Sequence, residues 1–103
     1  MEEQVRRHKF VGPVLRGMDE EIIEALVIAI GQDNPDDELL YEDHGGYVRI
    51  HTPHRCRVTR KSLEAALGRP FRLSELEPSL SAFAGRMRFE GDDALEWYLE
   101  RED

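Results

Sequence analysis

His44, His51, His54 and Cys56 form the densest run of metal-donor side chains in the chain. Zinc would need three or four such donors converging tetrahedrally, and imidazole with thiolate is a suitable mixture. The spacing argues against it. His51 and Cys56 fall on successive extended runs with His54 in the turn between them, Cys56 alternates with the core side, and no second pair completes a finger or ribbon pattern. Paired carboxylates would serve acid–base chemistry, but among 22 Asp and Glu some pair is always at hand, so a pairing carries no information. Ser62, Ser74, Ser79 and Ser81 lack the elbow of an activated nucleophile, and Ser62 and Ser74 suit helix starts. Gly12-Pro13 and His44-Gly45-Gly46 read as turns, since neither has the spacing that gathers several amides around a phosphate. No nucleophile, base and oxyanion site can be named together. The residues therefore assign no catalytic group, no cofactor-binding residue and no metal ligand, and the expectation is a protein that is not itself an enzyme. What remains is Leu80-Ser81-Ala82-Phe83-Ala84-Gly85, a connector of small residues and one aromatic that would let another protein approach closely.

The elements that position these residues alternate between two periods. Phe10–Leu15 reads as a short strand, with Pro13 favouring a sheet edge because it lacks a backbone donor. Asp19 can start a helix whose stripe is Ile22, Ile23, Leu26, Val27 and Ile30, and Gly31 can end it. Residues 38–43 and 47–52 are extended runs joined through His44-Gly45-Gly46 as a hairpin, with Val48 and Ile50 on a core face and Tyr47, Arg49 and His51 on a wet one. Arg55–Val58 alternates again and leads into a helix capped near Thr59 and closed by Gly68. Ser74 and Glu77 fit a capping box for a second short helix, which Pro78 limits. Residues 83–89 and 95–99 alternate as a closing hairpin around Gly91-Asp92-Asp93. The expected fold class is α+β in the order βαββ-βααββ, with mostly antiparallel sheet and about three helices. It forms one compact unit of two halves, with the seam near Thr52-Pro53.

Length and charge bound the function. At 103 residues one domain with a small core is expected, and a large internal active site is not. The formal charge of −8 is blocked: residues 1–16 carry +2, 17–43 carry −10 with no Lys or Arg, 44–72 carry +6 and 73–103 carry −6. An acidic total opposes phosphate-backbone binding, so nucleic acid is not an expected partner. The basic block Arg49, Arg55, Arg57, Arg60, Lys61, Arg69 and Arg72 reads as a solvated face or as a dock for an acidic protein. No apolar run approaches membrane-spanning length, the first residues are not a signal peptide, and the single Cys56 cannot form an internal disulfide. A cytoplasmic protein without a membrane partner is expected.

Seven segments in order narrow this further: residues 11–16, Asp33-Asn34-Pro35, Tyr47–Ile50, residues 59–64, Leu67–Phe71, Glu75-Leu76-Glu77 and Phe83-Ala84-Gly85. Through them the chain resembles the catalytic effector (coupling or regulatory) proteins of soluble diiron multicomponent monooxygenases, toluene monooxygenase branch, over roughly residues 10 to 99. The resemblance implies an effector domain over 1–103, with a flexible tail over about 1–9. It implies a cofactor-free subunit that binds a diiron hydroxylase near its active site, in a system that also contains a ferredoxin and an NADH-dependent reductase. Electron delivery, oxygen activation and hydroxylation or epoxidation of an aromatic or alkene hydrocarbon would be tuned by that contact. It also implies that the connector, Ser79, Ser81, Ala82 and Phe83, meets the partner, with Asn34 as a further contact. Arg6, Arg7 and His8 depart from the family's pattern, and no role is carried onto them. Outside the resemblance, a stand-alone interaction module using the arginine block and a small metal-binding regulator using His51, His54 and Cys56 are the alternatives.

Overall fold

The protein is described here by a computed structural model, covering residues 9–99. Its order is β1 (Phe10–Leu15), α1 (Glu20–Asp33), β2 (Leu40–Asp43), β3 (Val48–Pro53), β4 (Arg55–Thr59), α2 (Arg60–Leu67), a 3-10 helix (Leu73–Ser79), β5 (Leu80–Ala84), β6 (Arg86–Glu90) and β7 (Ala94–Tyr98). Two antiparallel sheets result, ordered β2-β3-β1-β5 and β4-β7-β6. The α+β class and the two halves match the expectation. The expected flexible tail, apart from Lys9, lies outside the described residues.

The chain passes directly from a strand of one sheet to a strand of the other at two corners, each made by a residue with positive φ. At His54 (φ 67°) it passes from β3 to β4, and at Gly85 (φ 91°) from β5 to β6. The first corner is the expected seam. Its amide donates to the Lys9 carbonyl (2.6 Å) and its carbonyl accepts from the Leu99 amide (3.2 Å). The second corner corrects the sequence reading, because alternation alone merges residues 83–89 into one strand. A Cβ at Gly85 would stand 2.7 Å from the Tyr98 carbonyl oxygen and 2.8 Å from Val11 Cγ1, so the turn works only without a side chain.

Pro13 is also placed differently from expectation. β1 is an interior strand, registered with β3 at Phe10↔Pro53, Val11↔Thr52, Val14↔Arg49 and Leu15↔Val48. Gly12 and Pro13 are left out of that ladder, so the missing amide donor interrupts no registered pair with β3. The vacancy beside Gly12 is filled by a side chain. A Cβ there would fall 2.8 Å from His51 Cδ2 and 2.3 Å from the Ile50 carbonyl oxygen. His51 is therefore buried on the face expected to be wet, while Ile50 on the opposite face is fully buried as expected.

Helix ends show which local signals act. Thr59 Oγ1 accepts from the Ser62 amide (3.1 Å) and Gly68 (φ 77°) closes α2, both as expected. α1 runs past Gly31 to Asp33, and Asn34 ends it instead. The capping exchange at the 3-10 helix is between Arg72 and Glu75, where the Arg72 amide donates to Glu75 Oε2 (2.9 Å), two residues earlier than Ser74 and Glu77. The core joins Val11, Leu26, Ile50, Leu63, Leu95 and Trp97, with α1 packed on α2 and β4.

Candidate functional site

β5 is positioned from both ends. The Ser79 carbonyl accepts from the Arg16 amide (2.8 Å), which fixes the end of the 3-10 helix against the end of β1. From there β5 pairs with β1 at Leu15↔Leu80, Val14↔Ala82, Pro13↔Phe83 and Gly12↔Ala84. The register shifts between Val14 and Leu15, so Ser81 is the extra residue of a bulge, and its hydroxyl donates to the Val14 carbonyl (3.3 Å). Among the described residues the connector expected from sequence is thus itself an edge strand, with β1 on one side and no strand on the other. Ser81, Ala82 and Phe83 are exposed, Phe83 by 42%, and Ser79 is half-buried. An edge strand of small side chains with one aromatic offers close approach and apolar contact to another protein.

Asn34 occupies a separate place. Its Nδ2 donates to the carbonyls of Ile30 (2.7 Å) and Arg57 (2.7 Å), and its Oδ1 accepts from the Arg57 amide (3.1 Å). The side chain is buried and clips the end of α1 to β4, in the other sheet from β5. Asp33 beside it accepts from the Thr59 amide (2.8 Å), Thr59 Oγ1 (3.1 Å) and Ser62 Oγ (2.7 Å), so an internal carboxylate already occupies the start of α2.

The donors singled out for metal binding do not converge. His44 is exposed, stacks on Tyr47 and contacts Glu42, while His51 packs over Gly12 and His54 turns the chain between the sheets. Cys56 is fully buried, and burial pushes its thiol up to about 12, so it stays protonated at neutral pH. Among the described residues no group of three or more His, Cys, Asp or Glu is arranged to hold a metal ion.

The arginine block is partly internal wiring. Glu96 is 1% exposed and gripped by Arg55 Nε and by Arg88 through Nε (2.9 Å) and Nη2 (2.7 Å). Arg57 pairs with Glu90 and Arg60 with Asp92, each at 2.7 Å. In β7 the alternation marks Glu96 as outward. The signal that it is covered lies across the sheet, where Arg57 and Arg88 are its registered partners. Reading it requires the strand pairing first.

Residues 9–98 match a family model described as the MmoB/DmpM family. The effector subunit of the alkene monooxygenase system of Xanthobacter autotrophicus (strain Py2) is 46% identical over 90 residues, which cover 87% of this chain and 86% of that protein. A chain in the structure of a phenol hydroxylase–regulatory protein complex superposes with a TM-score of 0.67 and 26% identity, over 88% of this chain and 99% of that one. The soluble methane monooxygenase regulatory protein B shares the fold, with a TM-score of 0.61 and 21% identity over 89% of this chain and 66% of its own. These relatives bear the names of effector and regulatory proteins rather than catalytic subunits. With the family model met from Lys9 to Tyr98 and the same fold found in the relatives of solved structure, this chain belongs to the MmoB/DmpM family, the effectors of multicomponent monooxygenases.

Proposed function

We propose that this protein is the effector subunit of a soluble diiron multicomponent monooxygenase, and that it docks on the hydroxylase through the β5 edge at Ser79, Ser81, Ala82 and Phe83. The observation that carries the docking assignment is the exposure of small side chains and Phe83 on an edge strand. A subunit without catalytic groups changes another protein's rate only by binding two of its conformations unequally, and about 1.4 kcal/mol of difference shifts that equilibrium tenfold. Here Ser81 and Ala82 allow the backbone to come close, Phe83 supplies an apolar anchor, and the hydroxylase conformation that fits this edge is favoured. Asn34 contributes to docking by holding the α1–β4 junction in shape, since its own polar atoms are engaged internally.

The system further comprises a ferredoxin and an NADH-dependent reductase, and works in the cytoplasm without a membrane partner. Its hydrocarbon is an alkene or an aromatic of the toluene type; the 46% identity to an alkene monooxygenase effector supports the alkene. Reconstitution of hydroxylase, ferredoxin and reductase with and without this chain tests the reading. Product formed per NADH is expected to rise when the chain is added. Equal rate and yield in both mixtures overturns the effector function.

A further inference from the structure

Three large hydrophobic side chains are left exposed among the described residues: Phe83 on β5, Ile28 (50%) and Tyr41 (45%). The last two meet at the opposite side of the same four-stranded sheet. With Ile23, Val27 and Glu24 they line an open groove of about 390 Å³ between α1 and β2. The local cause is a helix stripe wider than the core it covers. Ile22, Ile23, Ala25, Leu26, Ala29 and Ile30 are buried, Val27 is half-buried, and Ile28 is left exposed. Tyr41 is registered opposite the fully buried Ile50, which puts it on the helix side of the sheet, and among the described residues β2 has β3 on one flank and no strand on the other.

Charge decides what fits there. Residues 17–43, which form α1, the following loop and β2, hold ten Asp and Glu and no Lys or Arg. Glu24 lines the groove, Glu20 lies one helical turn before it, and Asp43 follows Tyr41 on the same strand face. A second copy of this chain pairing along β2 would bring Glu42 and Asp43 against their equivalents, an arrangement that like charge opposes. A cationic segment with an apolar side chain would be attracted by the rim and anchored by the floor.

We infer that the α1–β2 groove is a second docking site for the hydroxylase, receiving a Lys- or Arg-bearing segment that inserts an apolar side chain between Ile28 and Tyr41. This rests on the effector reading and separates a contact at β2 from the one at β5. Titration of purified hydroxylase with this protein at low and high salt tests it, with thermal melting and fluorescence of the buried Trp97 confirming each variant's fold. Wild-type binding is expected to weaken with salt, Ile28→Glu to bind about tenfold more weakly, and Ile28→Leu to stay within about twofold of wild type. Glu24→Gln is expected to flatten the salt dependence. A folded Ile28→Glu that binds within about twofold of wild type overturns the groove while leaving the effector reading intact. A hydroxylase that binds no wild-type protein overturns both. Concentration-dependent dimerisation abolished by Ile28→Glu also overturns it, because a second copy is then the occupant.

Discussion

At the scale of single residues, two polar side chains do structural work: His51, buried where exposure was expected, and Asn34, which clips the end of α1 to β4. Burial, with the Arg49 charge adding to it, lowers the His51 pKa to about 4, so the ring is neutral in the folded protein at pH values where an unfolded chain protonates it. The unfolded state takes up the proton first as pH falls through about 6.5. The stability tied to this ring is therefore complete above that pH and is lost progressively towards pH 4, by up to about 3 kcal/mol. Urea midpoints followed from pH 7.5 to 4 are expected to fall more steeply for the wild type than for His51→Gln, which cannot titrate; parallel curves would contradict this. Asn34 satisfies three backbone groups at once. Asn34→Ala leaves buried partners unpaired and is expected to cost about 2–3 kcal/mol in equilibrium urea unfolding. Lost hydroxylase activation with unchanged stability would instead make Asn34 a direct contact.

At the scale of elements, the corners between sheets and the pairing across them hold the two halves together. Gly85→Ala forces a Cβ against the Tyr98 carbonyl in a backbone conformation that L side chains rarely adopt. It is expected to cost about 2–4 kcal/mol, read as a lowered thermal midpoint, whereas Gly91→Ala has open space around it and is expected to cost less. The β4-β7-β6 sheet carries a buried carboxylate between two exposed cations, and that asymmetry sets the order of mutational effects. Replacing both Arg55 and Arg88 with Met strands the Glu96 charge and is expected to destabilise by about 3 kcal/mol or more. Adding Glu96→Met should restore much of the loss, because the arginines were the partners in water and Glu96 the one that was not. Denaturant unfolding of the double and triple variants measures the difference, and a triple variant less stable than the double would refute the account.

At the scale of the whole molecule, the strand order decides which side chains lie at the surface. The four-stranded sheet ends in β5 on one side and β2 on the other, and its exposed apolar side chains lie towards these two edges. No helix among the described residues is long and apolar enough to cross a membrane. Ala82→Trp places bulk on an exposed position of β5 away from the core, so the melting temperature should stay within a few degrees of wild type. Product formation in the reconstituted system should fall by about tenfold or more at limiting protein, if close approach at this strand selects the hydroxylase conformation. Wild-type turnover by the folded variant at every concentration would remove β5 from the interface.

Sequence alone determined what depends on near neighbours. The α1 stripe, the Thr59 cap, the Gly68 stop and the His44-Gly45-Gly46 hairpin are each settled within a few residues, and the ordered segments from Val11 to Gly85 carried the family resemblance. Tertiary structure decided what depends on distant ones. Pro13 sits in an interior strand because the ladder to β3 skips it, and residues 83–89 split because Val11 and Tyr98 crowd Gly85. Glu96 is buried because arginines from two other strands close over it. The physical reason is the same throughout: helix periodicity and caps are short-range, whereas strand order, and which face of a strand is covered, exist only once elements far apart in the chain have met.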